Sequence, residues 1–226
     1  MNKYLFRYGF VNGKEIFYRI AITGSVDITA PGGSMSNPVK IDMYISQKII
    51  SCDEEQAVVR VRIDNVVADP RMSKEHLPKI GVDSIMQIDR VGNVRWMDGA
   101  AAWQGAEHSM MRFPEEPLEP GDSWVQQVED VSGSATPFHT RYRFNGFDRK
   151  NRQLMVFATE MFTAHPDDPE SESMGRGTFS FDLEENWIHE TSNRIVYSYR
   201  IPVPENPALK IETKTTLNID MERLKK

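Results

Sequence analysis

Histidine, carboxylate and arginine are the side chains with which this sequence could do chemistry. The histidines are His76, His108, His139, His165 and His189. No two of them stand at a His-x-His or His-x-x-x-His spacing, the intervals that put two imidazoles on one metal ion. His165 lies beside Asp167 and Asp168 in an acidic loop, where a weak surface metal site competes with plain solvation. Paired carboxylates occur at Glu115-Glu116, Asp167-Asp168 and Glu184-Glu185. Each pair sits among prolines, serines or turn residues. General acid–base catalysis needs one carboxyl desolvated against an apolar wall, and nothing around these pairs supplies one. Acids in such places keep sheet edges soluble. No serine stands in a Gly-x-Ser-x-Gly elbow. Gly175-Arg176-Gly177 lacks the spacing of a phosphate loop, so a bulge or a close backbone approach is the better account. No catalytic residue, metal ligand or cofactor site is expected.

Two further groupings concern binding. Arg141, Arg143, Arg149 and Arg152 interleave with Phe138, Tyr142, Phe144 and Phe147. Such a pattern can stack single-stranded nucleic acid, but an ordinary strand pair with a charged outer face produces it too. The second grouping is the apolar inventory. Twelve methionines in 226 residues is generous, and methionine lines surfaces that accept varied apolar partners. Met110 and Met111 follow Trp103, while Met155 and Met161 share a strand face with Phe157. These six residues are the candidate lining of a groove for an acyl chain or similar ligand. A Met-rich packed core is the alternative.

The elements that would position them read as strands. Residues 4–10 alternate aromatic and polar side chains and meet Asn12-Gly13, a hairpin signal. Residues 14–23 place Ile16, Tyr18, Ile20 and Ile22 on one face. Residues 30–38 have loop composition. Residues 39–50 and 57–68 form a second hairpin around Asp53-Glu54-Glu55. Residues 82–90 and 93–97 form a third around Val91-Gly92-Asn93. Residues 100–111 are the best helix candidate, with Trp103, Ala106 and Met110 at spacings of three and four. Pro114, Pro117 and Pro120 then interrupt any regular element, and Pro120-Gly121-Asp122 predicts a tight turn into a strand opened by Trp124. Strands follow at 123–131, 138–147, 153–163, 175–183, 187–201 and 210–221. Ten or eleven strands in sequence order predict a meander. A sheet so large must curl, split or close. The expected fold is therefore all-β with one main helix, a large curled antiparallel sheet or half-barrel wrapped round that helix, in a single domain over residues 1–226.

Composition bounds the rest. Hydrophobic residues make up 39% and charged residues 27%, the balance of a globular chain. The formal net charge of -6 argues against nucleic acid as a partner. No apolar run reaches transmembrane length. Residues 1–8 hold no signal-peptide core, so the chain as written is expected in the cytoplasm, or in the periplasm or cell envelope if a leader has been removed. Cys52, the one cysteine, forms no internal disulfide.

Several short stretches resemble a known group. They are Phe6-Arg-Tyr-Gly-Phe-Val-Asn-Gly-Lys-Glu-Ile-Phe-Tyr18, Ile41-Asp-Met43, Gln56-Ala-Val-Val-Arg-Val-Arg-Ile63, Phe113-Pro, Pro120-Gly-Asp-Ser-Trp124 and Gly175-Arg-Gly-Thr-Phe-Ser-Phe-Asp182. In these the chain resembles the bacterial half-barrel group that includes the lipoprotein carriers of the cell envelope. More closely, it resembles an uncharacterised bacterial family sharing that fold. The resemblance implies an antiparallel sheet round a helical plug, a ligand cavity and no catalytic residues. Glu184-Glu185-Asn186 stands where a glycine turn is expected. The function expected is non-enzymatic binding of a hydrophobic or lipid-like ligand on a concave apolar face. The alternative is a structural or assembly protein that contacts another protein through its outer sheet or an edge strand.

Overall fold

The structure, a computed structural model, describes residues 2–30, 32–72, 77–98, 110–128, 138–168, 171–203 and 206–225. Its strands are β1 (Glu15–Ala30), β2 (Gly33–Cys52), β3 (Gln56–Ala68), β4 (Asp83–Asp89), β5 (Val94–Asp98) and β6 (Ser123–Val128), then β7 (Phe138–Phe147), β8 (Leu154–Phe162), β9 (Ser173–Asp182), β10 (Trp187–Val203) and β11 (Asn206–Leu224). They make one antiparallel sheet in the order β5-β4-β3-β2-β1-β11-β10-β9-β8-β7-β6. The first and last strands pair at its centre, from Phe17 opposite Leu224 to Thr29 opposite Glu212. Two meanders spread outward from that pair, and the chain's midpoint supplies both edges.

Alternation explains the strands. In β1, Ile16, Tyr18 and Ile20 are buried, and the residues between them are half-buried. Ile20 faces Met43 on β2 and Met221 on β11, so one apolar row crosses three strands. The sheet curls around that face. Trp187 on β10 donates its indole N–H to Gln47 on β2 at 3.3 Å, across the two strands between them.

No helix occurs among the described residues, so the expected helical plug is not supported. Of the predicted helix at 100–111, residues 100–109 lie outside the described residues, and Met110 and Met111 have non-helical backbone. Among the described residues, two extended segments cover the concave face instead. Residues 2–10 cross residues 110–118, held by reciprocal hydrogen bonds of 2.8 Å between Tyr4 and Leu118. Phe6 packs on Phe113, Phe144 and Phe157 at centroid distances of 5.3, 5.1 and 5.2 Å. Tyr8 packs on Trp187 at 5.3 Å. Aromatic rings fill the hollow because each buries a large area at few rotatable bonds.

Residues 4–10 consequently do not form the hairpin predicted at Asn12-Gly13. Their backbone groups bond elsewhere, Tyr8 N–H to Arg90 O at 2.8 Å and Gly9 N–H to Asn186 O at 3.0 Å. Of the loop predicted at 30–38, Ala30 and residues 33–38 are in strands instead. β1 and β2 stay paired up to Ala30 opposite Gly33. Pro38 is tolerated because pairing of β2 with β3 begins only at Ile41, so β2 is an edge there. Pro202 on β10 is placed likewise, since the pairing of β10 with β9 ends at Ile195. The hairpins at Asp53-Glu54-Glu55 and Val91-Gly92-Asn93 form as expected. Gly121 and Asp122 turn the chain into β6, with Asp122 N–H bonded to Glu119 O at 3.0 Å.

Candidate functional site

β1, β2, β10 and β11 run well beyond the other strands. Past Ile41 and Ile195 they form a four-stranded extension with β2 and β10 as its edges. Register assigns its faces. On β1, β2 and β11 no register shift separates the extension from the core rows, so the even residues of β1 continue the concave face. Gly24 lies opposite Val39 and Leu217, Val26 opposite Asn37 and Thr215, and Ile28 opposite Met35 and Thr213. β10 adds Ile195 beside Leu217, Tyr197 beside Thr215 and Tyr199 beside Thr213.

This face is apolar yet incompletely covered. Met35, Tyr197 and Tyr199 are 54%, 37% and 45% exposed, and Val26, Ile28, Val39, Ile195 and Leu217 are half-buried. The two tyrosine rings stack at 6.3 Å with 16° between their planes. Thr213 and Thr215 are buried between these rings and β1. The opposite face is polar, with Ser25, Asp27, Arg200, Glu212 and Lys214, and Arg200 pairs with Glu212 at 3.1 Å. Such a two-sided shelf can hold an apolar molecule, and contiguous exposed apolar surface marks interaction sites.

The groove residues expected from the sequence lie elsewhere. Met110 and Met111 are buried under the N-terminal segment. The Tyr8 hydroxyl donates to the Met111 carbonyl at 2.9 Å. Met155 and Phe157 are wholly buried on β8, and Phe157 touches Phe6, Phe113 and Phe144. Met161 is half-buried opposite Thr140 and Gly175. Trp103 lies outside the described residues. The shelf residues were missed because the period-2 pattern of residues 187–201 marks a strand without revealing that its neighbours stop short. The legible signal is length: β1, β2, β10 and β11 have 16 to 20 residues, against 5 to 7 in β4, β5 and β6.

A second depression, of about 570 Å³, opens beside Arg7, Tyr8, Lys14, Arg90, Glu185 and Asn186. Its cations are engaged. Lys14 pairs with Glu185 at 2.7 Å, Arg7 donates to Pro114 O at 3.0 Å, and Arg90 donates to Glu54 O. The Lys14 ammonium holds the Glu185 carboxyl below its ordinary range. Nearby, Arg223 and Asp182 form a largely buried ion pair at 2.8 Å, and Asp182 also accepts the Glu184 and Glu185 N–H groups at 3.0 and 3.1 Å. This end of the molecule is a clamp on the N-terminal segment. Asn186 has φ 50° and so takes the left-handed position where a glycine was expected.

His165 Nδ1 stands 3.6 Å from Asp167 on the surface. Among the described residues no three His, Cys, Asp or Glu side chains are grouped to hold a metal ion. No helix among them is long and apolar enough to cross a membrane.

No protein-family model matches the chain, and no curated protein matches it. A solved structure of a DUF1329 family protein from Desulfovibrio piger is 11% identical, with 93% of this chain and 84% of that chain covered, at a TM-score of 0.20. A likeness at that score carries no argument about fold or function.

Proposed function

We propose that this protein is a non-enzymatic binding module that holds a hydrophobic or lipid-like ligand on the open apolar shelf formed by β1, β2, β10 and β11. One observation carries the reading: the concave face of the four-stranded extension presents Val26, Ile28, Met35, Tyr197 and Tyr199, the last three exposed, while the reverse face is polar. The shelf presents aliphatic, aromatic and threonine side chains, a composition suited to holding a molecule by contact and not to moving protons. The alternative of a protein partner added to an edge strand is disfavoured at this place. Pro38 and Pro202 stand on the two free edges, and proline blunts strand addition.

Native mass spectrometry with palmitic acid tests the proposal. The intact chain is expected to carry one or more acyl chains, and a Tyr197→Ser/Tyr199→Ser double variant to lose them while remaining folded. An intact chain that stays bare, or a double variant that binds as well, overturns the reading.

A further inference from the structure

The convex face carries a feature that the shelf does not use. Arg176 on β9 and Arg194 on β10 are directly opposed, and both are exposed. Like charges directly opposite one another weaken a sheet. Among the described residues neither has a carboxylate partner at ion-pair distance, whereas Glu160, opposite Arg176, is bound to Arg141 at 3.5 Å. The backbones of β9 and β10 approach closely here. A Cβ on Gly175 would lie 2.6 Å from Arg194 O, and one on Gly177 would lie 2.1 Å from Ser192 O. Gly175-Arg176-Gly177 therefore lets the strands that carry Arg176 and Arg194 approach closely.

The surroundings suit an anion. The cross-sheet row through this pair runs Arg141, Glu160, Arg176, Arg194, then through Asn218 and Thr23 to Lys40. It holds four cations and one carboxylate in a protein of net charge -6. A shallow depression of about 540 Å³ lies over it, with Thr178, Ser192 and Asn218 at its floor. Asp220 stands at one end, and accepts from Ser192 Oγ at 2.6 Å.

We propose that Arg176 and Arg194 form a binding site for a phosphate-type oxyanion. Arginines at directly opposed positions that line one depression can offer paired N–H donors to tetrahedral oxygens, and the anion removes the repulsion between them. The Thr178 hydroxyl lies in the same depression and adds a donor. Free phosphate and a lipid phosphate headgroup share this chemistry.

Thermal unfolding and calorimetric titration with inorganic phosphate, at ionic strength matched with chloride, test the first source. Co-sedimentation with phosphatidylcholine vesicles containing phosphatidic acid tests the second. Saturable binding in either arm is expected, weakened about tenfold by Arg176→Gln or Arg194→Gln, which is the loss of one charge-assisted contact. Arg176→Glu, which pairs with Arg194, keeps the fold and abolishes binding. Tyr197→Ser/Tyr199→Ser leaves phosphate binding unchanged, so failure of the shelf and failure of this site are distinguishable. No binding in either arm overturns the proposal, as does binding that the arginine variants retain.

Discussion

Tyr8 donates its hydroxyl to the carbonyl of Met111 at 2.9 Å, joining two covering segments 103 residues apart in sequence at the centre of the aromatic hollow. The Tyr8 side chain is buried, so removing its hydroxyl leaves the Met111 carbonyl with no donor from that side. Tyr8→Phe is expected to lower stability by about 1–2 kcal/mol in urea unfolding, with little change of slope. An effect near zero would mean that water replaces the phenol.

Gly92 lies against the same pair. Its φ is +96°, and a Cβ there would stand 2.4 Å from Met111 O and 2.7 Å from the Tyr8 ring. Gly92→Ala meets both a disfavoured backbone and rigid neighbours, and is expected to cost about 2–3 kcal/mol or more. Gly13→Ala is the control. It shares a positive φ of 80° but has open space around it, so only the backbone penalty of about 1 kcal/mol applies.

Burial pushes the phenols of Tyr8, Tyr18 and Tyr142 above their ordinary range. Their native forms stay protonated at a pH where the unfolded chain ionises. The unfolded state then binds fewer protons, so stability is full below about pH 10 and falls as pH rises beyond it. Three such groups give a slope of up to about 4 kcal/mol per pH unit. Phenolate absorbance should show three of the seven tyrosines titrating only in step with loss of tertiary circular dichroism. Gradual titration of all seven in the folded protein would contradict this.

Arg223 and Asp182 are 19% and 12% exposed in their side chains. Arg223→Ala leaves the carboxylate largely buried with only its N–H donors, and is expected to destabilise by about 3 kcal/mol. Lys14→Ala, breaking a more exposed pair at the same clamp, should cost about 1 kcal/mol or less. Equal losses in the two variants would remove the distinction drawn from burial.

Much of the fold was legible in the residues. Ile16, Tyr18 and Ile20 declare a strand by alternation alone, and Asp53-Glu54-Glu55 and Gly92 declare turns by their chemistry. What misled was local chemistry that distant partners override. Asn12-Gly13 turns the chain, but the Tyr8 and Gly9 N–H groups are taken by Arg90 and Asn186, so no hairpin forms. Pro38 signals a loop, yet it sits on a strand edge that needs no donor. The candidate site was the least legible part. Tyr197, Thr215 and Val26 become neighbours only through register, and no periodicity within one strand reveals where adjacent strands end. Arg176 and Arg194, 18 positions apart, meet for the same reason.

The pairing of β1 with β11 has a consequence for synthesis. Phe17 must wait for Leu224, and a ribosome adding about 5–20 residues per second needs roughly ten to forty seconds to deliver it. Throughout that interval β1 shows a bare flank. The nascent polypeptide is thus open to misjoining until β11 has been made.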